Sequence, residues 1–289
     1  MDQKIIDLYD TFTHGGMNRR QFLDRLGEIA GSSAAALALL PLLQNDYAQA
    51  AIIAPDDARL AIETASYDAQ GTQIVGYLVR LKAKGKRPAV IVLHENRGLN
   101  PHIQDVARRI ALEGYLTYAV DMLSPLGGTP ADEDKARDMF SALKPEETAT
   151  QLAAAVPFLA KHAESTGNVG TVGFCWGGGI VNRVTALAPE LKAAVAYYGL
   201  QVPADQVASI HAPLLLHYAS LDQRVNAGIP AYEAALKAAG KRFTIYVYPN
   251  VNHAFNNDTG NRYDKPAADL AWSRTLAFFK EQLGAPPSG

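Results

Sequence analysis

The side chain most suited to covalent chemistry is a single cysteine in a glycine-rich segment. Residues 173–179 read GFCWGGG, and they place Cys175 between a predicted strand and a predicted helix. A G-x-nucleophile-x-G sequence at such a point is typical of a sharp turn that exposes a nucleophile. The free N–H groups at the start of the helix would favour a thiolate. The pattern predicts a cysteine nucleophile. The alternative is an unreactive cysteine buried in a glycine-rich turn, which would have the same surrounding sequence.

Two later residues could serve as the base and the orienting acid that a thiol nucleophile needs. Asp222 comes just after a predicted strand at residues 213–218, and His253 just after the next one, at residues 243–248. Either residue alone could be a turn or capping residue. Because both follow strand ends in the chain order nucleophile, acid, histidine, which is the order of α/β-hydrolases, we predict a Cys175–His253–Asp222 triad.

The elements that would position these residues alternate between strands and helices from residue 59 onward. The predicted strands cover residues 61–67, 73–81, 88–94, 115–122, 167–174, 193–198, 213–218 and 243–248. The predicted helices cover residues 101–113, 131–143, 145–164, 177–187, 230–239 and 264–283. This order predicts an α/β fold with a mostly parallel central sheet and helices on both faces. The chemistry of such folds lies at the carboxyl ends of the strands.

Four short segments resemble the dienelactone hydrolase family of α/β-hydrolases, over roughly residues 60–284. They are HENRG from His94, GFCWGG from Gly173, YYG from Tyr197 and NHAF from Asn252. The resemblance implies an α/β-hydrolase fold with Cys175 as nucleophile, Asp222 as acid and His253 as base.

The resemblance also implies roles for residues next to the nucleophile. It implies that Glu95 contacts the thiol and influences its protonation, although Glu95 could equally be a salt-bridge partner. The backbone N–H of Trp176, directly after the nucleophile, would supply one oxyanion donor. The position that matches the family's second donor is Asn96.

Several residues are candidates for the substrate pocket. Tyr197 and Tyr198 end a predicted strand, where they could line the pocket or pack in the core. Well-known family members have an arginine four residues after the catalytic histidine that grips a substrate carboxylate, and this chain has Asn257 there. Arg97 could lie in the pocket. Arg97, Arg137 or Arg262 could bind the substrate carboxylate in place of the missing arginine. We therefore expect weaker selection for anionic lactones and activity on neutral short-chain esters or lactones.

These residues predict a hydrolase of a lactone or small carboxylic ester that works through a thiol acyl-enzyme and needs no cofactor. An acyltransferase or a thioesterase could use the same triad. A protein that only binds a small molecule on a hydrolase fold is the non-enzymatic alternative. The expected partner is a small-molecule substrate, and the sequence does not indicate an oligomeric state.

Composition excludes several other classes. The 289 residues are 48% apolar and 19% charged, with a net charge of −2, so the chain has no basic field for nucleic acid or an anionic membrane. A single cysteine excludes a disulfide framework and any multi-cysteine zinc or iron–sulfur site. The seven histidines show no metal-binding spacing, so we expect no metal site.

The first fifty residues permit two interpretations. Arg19 and Arg20, an apolar stretch over residues 29–43, and AQA at residues 48–50 resemble a twin-arginine export signal with its cleavage site. The apolar stretch is too short to cross a ~30 Å hydrocarbon core as a stable anchor. This interpretation predicts a periplasmic protein whose α/β-hydrolase domain is residues 51–289. The alternative is a helical arm that packs on that domain in a cytoplasmic protein, since apolar residues such as Tyr9 and Phe12 have near-helical spacing.

Overall fold

One sheet organises the chain in the computed structural model, which describes residues 1–46 and 51–287. Within these residues its strands are β1 (Leu60–Ala69), β2 (Thr72–Leu81), β3 (Arg87–Leu93), β4 (Leu116–Asp121), β5 (Ser165–Phe174), β6 (Ala193–Tyr197), β7 (Leu214–Ala219) and β8 (Phe243–Tyr248). Their spatial order is β1-β2-β4-β3-β5-β6-β7-β8. Strand β2 is antiparallel to β1 and β4, and all other neighbours are parallel. The sheet is therefore mostly parallel, as the sequence predicts.

Helices cover both faces of this sheet, which explains the continuous apolar run of β3. Ala89, Ile91 and Leu93 pack into one core layer, and Val90 and Val92 into the other. Among the described residues after residue 51 the α-helices are α4 (Pro101–Leu112), α5 (Glu133–Met139), α6 (Pro145–Ala153), α7 (Ala155–Ala160), α8 (Trp176–Val184), α9 (Gln223–Asn226), α10 (Ile229–Ala238) and α11 (Lys265–Leu283). Helices α6, α7, α8 and α10 contribute to the first layer, and α4 and α11 to the second. A strand buried on both sides has no polar face.

Two elements differ from the sequence prediction. The single helix expected over residues 145–164 is divided into α6 and α7, and the chain is again extended by Ser165 at the start of β5. Pro157 has no N–H to donate to the preceding turn, which favours a break just before it. The short helix α9 was not predicted. Its N-cap is Asp222, whose side chain accepts a hydrogen bond from the backbone N–H of Val225.

Residues 1–46 form a helical N-terminal arm with its own small apolar core. The arm contains α1 (Gln3–Thr13), α2 (Arg19–Ala30) and α3 (Ser33–Leu43). Its buried core residues are Ile5, Leu8, Tyr9, Phe12, Phe22, Leu26, Ala36 and Leu43. The rings of Phe12 and Phe22 stack with centroids 4.5 Å apart. Gly31 adopts a left-handed conformation after α2, so the apolar stretch over residues 29–43 is not one continuous helix.

The N-terminal arm is attached to the α/β domain, residues 51–287, through polar side chains. Gln3 donates its Nε2 to Oδ1 of Asn252 at 2.6 Å, and Asn96 donates its Nδ2 to the carbonyl of Thr13 at 2.7 Å. In the part of the chain that the structure describes, no single helix could cross a membrane, and only the pair α2 and α3, bent by 110°, has a suitable length and composition. The proposed cleavage site, Ala48-Gln49-Ala50, lies outside the described residues.

Candidate active site

Cys175 lies on a strained turn between β5 and α8. Its backbone has φ 55° and ψ −117°, a conformation that a residue with a Cβ atom rarely adopts. A Cβ atom on Gly173 would lie 2.4 Å from the carbonyl oxygen of Gly177, and one on Gly177 would lie 2.3 Å from that of His94. The two glycines therefore allow the strand, the helix and the neighbouring β3 end to approach closely. The turn projects the thiol beyond the end of the sheet at the N-terminus of α8.

His253 and Asp222 form a buried pair in the segments that follow β8 and β7. Nδ1 of His253 lies 2.5 Å from Oδ2 of Asp222, and the two side chains are only 4% and 2% exposed. Burial raises the pKa of Asp222, but His253 and then Arg224 lower it by more, so the net pKa lies below its usual value. Nε2 of His253 is buried and has no hydrogen-bond partner within residues 1–46 and 51–287. No described residue therefore occupies this nitrogen.

A second histidine, which the sequence analysis did not single out, also reaches the nucleophile. His14 follows α1 in the N-terminal arm, and its Nε2 lies 3.2 Å from Sγ of Cys175. Its ring meets the His253 ring edge to face, with centroids 4.8 Å apart. Sγ and one ring nitrogen from each histidine lie within 4.8 Å of one another. The thiol therefore lies close to two imidazole rings.

Asp10, one turn earlier in α1, orients His14. Nδ1 of His14 lies 2.8 Å from the carbonyl oxygen of Asp10 and 3.4 Å from its Oδ1. Burial lowers the pKa of His14, but the negative charge of Cys175 and the hydrogen bond to Asp10 outweigh it, so the pKa is raised. Asp10 is bound in turn by Arg224 at 3.3 Å and by Arg262 at 3.1 Å.

Glu95 accepts hydrogen bonds from two side chains behind the nucleophile. The hydroxyl of Tyr198 donates to its Oε1 at 3.3 Å, and Nδ2 of Asn257 donates to its Oε2 at 2.8 Å. Burial and the charges of Glu95 and Cys175 raise the pKa of Tyr198 well above its usual value, so the hydroxyl stays protonated as a donor. Among the described residues neither oxygen of Glu95 is hydrogen-bonded to the thiol, and its implied influence on the protonation of Cys175 stays a prediction. Asn257 is buried, and its amide binds Glu95.

The two predicted oxyanion donors belong to segments that adjoin the nucleophile turn and the end of β3. Trp176 is the first residue of α8, where backbone N–H groups have no acceptor within the helix. Asn96 follows the end of β3, and its side chain binds the N-terminal arm through Thr13. Both residues line the same cavity as Cys175.

This cavity, of about 820 Å³, lies between the N-terminal arm and the α/β domain. Its apolar lining comes from Phe12, Met17, Phe140, Trp176, Ile180 and Leu200. Tyr198 also lines the cavity, whereas Tyr197 is buried, with its hydroxyl 2.7 Å from Oγ1 of Thr275. The walls are thus shared by the two parts of the chain.

The candidate arginines occupy different places. Arg137 lines the cavity, where its guanidinium lies 4.3 Å from the ring centroid of Phe12 and pairs with Asp134 and Asp138. Arg97 is buried, with Nε 3.6 Å from a carboxylate oxygen of Glu133. Arg262 pairs with Asp10 in the N-terminal arm. Of these three, only Arg137 is among the described residues that line the cavity.

The cluster of Cys175, His14 and His253 also has the donor types that zinc prefers, one sulfur and two imidazole nitrogens. Cys175 and His14 are already within hydrogen-bonding distance of each other, and both histidines are oriented by carboxylates. The same contacts pair a thiol with an imidazole, which is the arrangement that a cysteine nucleophile needs.

The family of the chain follows from comparison with known proteins. A model of the dienelactone hydrolase family matches residues 74–283. The chain belongs to the dienelactone hydrolase family. A relative from Escherichia coli (strain K12), provisionally named a carboxymethylenebutenolidase, is 35% identical over 246 residues, which cover 80% of this chain and 90% of the relative. A second model, described as YqhI-like, matches residues 1–31 of the N-terminal arm.

Solved structures confirm the fold that was predicted for this dienelactone hydrolase family member. A provisionally named dienelactone hydrolase from Klebsiella pneumoniae subsp. pneumoniae MGH 78578 is 32% identical, with a TM-score of 0.68 over 76% of this chain and 99% of its own. A thermostable esterase from Pseudomonas putida ECU1011 is 17% identical, with a TM-score of 0.64 over 98% of this chain and 97% of its own. The latter likeness shows the fold alone. Family membership supports a hydrolase of lactones or esters with a small-molecule substrate.

Proposed function

We propose that this protein is a cysteine hydrolase of neutral small esters or lactones that works through a thiol acyl-enzyme. The observation that carries the proposal is the position of Cys175. It occupies a strained turn at a helix N-terminus, and its Sγ lies within 4.8 Å of ring nitrogens of two carboxylate-bound histidines. Strain at one non-glycine residue costs about 1–3 kcal/mol and persists where the surrounding structure enforces it, often at reactive sites.

The proposed reaction has two halves. The thiolate of Cys175 attacks the carbonyl carbon, and the N–H groups of Asn96 and Trp176 stabilise the oxyanion. Collapse of this intermediate breaks the ester C–O bond, and the leaving alkoxide takes a proton from an imidazolium. His253, oriented by Asp222, then removes a proton from water as the water attacks the thioester. The thiolate departs and the acid product leaves.

The lining of the cavity supports neutral substrates. Six apolar side chains face it, and each of its four lining arginines is already paired with a carboxylate: Arg19, Arg137, Arg183 and Arg224. A substrate carboxylate would have to displace one of these ion pairs, which lowers the gain from binding it. Asn257, bound to Glu95 and Thr259, offers no free amide to replace a charged clamp.

A panel of lactones and carboxylic esters tests the proposal. We expect Cys175→Ala to lower kcat/KM by at least ~10³-fold, because the nucleophile is lost. Mass spectrometry of quenched native protein should detect a covalent acyl adduct on Cys175. Equal turnover by native and Cys175→Ala proteins would contradict the mechanism. Faster transfer to an added alcohol or thiol than to water would identify an acyltransferase, and a complete lack of turnover with measurable ligand binding would identify a binding protein.

A further inference from the structure

The N-terminal arm places a second carboxylate-bound histidine on the nucleophile. His14, and not His253, is within hydrogen-bonding distance of Sγ, while Nε2 of His253 is buried without a partner among the described residues. We propose that His14 is a second catalytic histidine, which takes the proton of Cys175 and holds the thiolate as an ion pair before substrate binds. This inference rests on the proposed cysteine mechanism and divides its proton transfers between two histidines.

The charges around His14 favour this ion pair. The titratable groups that face its ring are Cys175, Asp10 and His253. Asp10 is held against Nδ1 at 3.4 Å, and it stays ionised because His253, His14 and Arg262 together lower its pKa by more than burial raises it. An imidazolium between a thiolate and a carboxylate is stabilised on both sides. Arg224, 3.5 Å from Nδ1 of His253, also binds Asp10 and so links the two histidine–carboxylate pairs.

The two histidines then serve different halves of the reaction. In the first half, the S–H bond of Cys175 breaks and an N–H bond forms at Nε2 of His14. After the thiolate has attacked, the leaving alkoxide takes this proton from His14. In the second half, Nε2 of His253 takes a proton from water, the hydroxide adds to the thioester, and the departing thiolate recovers the proton from His253. Every proton is returned, and no co-reactant other than water is needed.

The first experiment measures the thiolate in the full-length protein without substrate. The ultraviolet absorbance of the thiolate and the rate of alkylation by iodoacetamide are followed against pH for native protein and His14→Gln, with a chelator present. Under mildly acidic conditions we expect the fraction of Cys175 present as thiolate to be about tenfold lower in the variant than in native protein. More basic thiolates are more nucleophilic, so the net alkylation rate falls only ~3-fold there and exceeds the native rate at high pH. This crossing of the two profiles is not expected from a loosened arm, which would expose the thiol and raise alkylation at all pH values.

Matched variants control this experiment. His211→Gln changes an exposed histidine and should leave both profiles unchanged. Asp10→Asn keeps the His14 ring but removes the carboxylate, so its profile should lie between native and His14→Gln. Added imidazole should restore alkylation of His14→Ala under mildly acidic conditions. Native and His14→Gln profiles that coincide, or a lack of imidazole rescue in folded His14→Ala, would overturn the proposal.

A kinetic experiment separates the two histidines. With an activated ester, His14→Gln should slow formation of the acyl-enzyme, whereas His253→Gln should form the acyl-enzyme and accumulate it. Accumulation of the acyl-enzyme in His14→Gln would refute the division of roles. If native protein hydrolyses no ester at all, the proposed function fails, yet the thiolate profiles still decide whether His14 holds the thiolate.

Discussion

Asp222 uses its two oxygens for two different tasks, so the substitution Asp222→Asn tests the triad severely. Oδ1 accepts from the backbone N–H of Val225 at 3.2 Å and caps α9, while Oδ2 binds Nδ1 of His253 at 2.5 Å. An asparagine has one acceptor oxygen and an NH₂ group that only donates. If its oxygen keeps the cap, the NH₂ group faces His253 and forces the ring proton onto Nε2. His253 then cannot act as a base.

The expected loss of activity follows from these contacts. Removing a charged hydrogen bond costs about 1.5–3 kcal/mol, and holding the base in the wrong tautomer lowers turnover by up to ~10⁴-fold in the serine protease triad. We expect kcat of Asp222→Asn to fall by ~10²–10⁴-fold. KM should change by less than about threefold, because Asp222 is not among the described residues that line the cavity.

The same substitution has a pH-dependent effect on stability. The pKa of Asp222 is lowered in the folded protein, so its charged interactions stabilise the fold fully above about pH 4, the value for an unfolded aspartate, and are lost as the pH falls further. The difference in unfolding free energy between native and Asp222→Asn should therefore shrink below about pH 4.

Steady-state kinetics and denaturant unfolding measure both effects, with Asp205→Asn, an exposed aspartate, as the matched control. A folded Asp222→Asn protein with a kcat within about threefold of native would refute the orienting role. A stability difference that grows as the pH falls would refute the assigned charge.

Three further predictions concern the thiol, the substrate and the N-terminus. Iodoacetamide should label Cys175 and abolish hydrolysis; labelled protein with full activity would contradict the nucleophile. The protein should prefer the methyl ester of a carboxylated lactone to the free acid, and Arg137→Gln should change this ratio of kcat/KM by less than about threefold, whereas a charged clamp would give ~10-fold or more. If residues 1–50 are an export signal, protein from its own host should begin at Ala51, and Arg19→Lys with Arg20→Lys should keep it in the cytoplasm; an intact N-terminus found by mass spectrometry would favour the arm.

Much of the sheet could be predicted from the sequence because local patterns determine its strands. The apolar run of β3 indicates burial on both faces, and the glycines around Cys175 indicate a turn where strand and helix touch. Asp222 and His253 could be named because each follows a strand end, and parallel strands bring such ends to one edge. These inferences depend on short segments of sequence and on a general rule of topology.

Other contacts could not be predicted because they depend on side chains that meet only after folding. Asn257 and Glu95 are separated by 162 positions, and only packing decides that the amide binds the carboxylate. His14 and Cys175 are separated by 161 positions. The available signal for His14 was weak: a histidine one turn after an aspartate at the end of an amphipathic helix. That pattern is common on helix surfaces and does not by itself indicate a site.

Because the N-terminal arm contacts the site, the two interpretations of residues 1–50 predict two proteins with different sites. Arg19, part of the export-like motif, forms an ion pair with Asp134 of α5, and the apolar residues of α3 complete the core of the arm. Cleavage after Ala50 would remove His14 from the thiol and open the wall of the cavity that Phe12 and Met17 form. A processed protein would then rely on His253 for both halves of the reaction, whereas an intact protein has a histidine for each. The thiolate profile of protein purified from its own host therefore reports on processing as well as on mechanism.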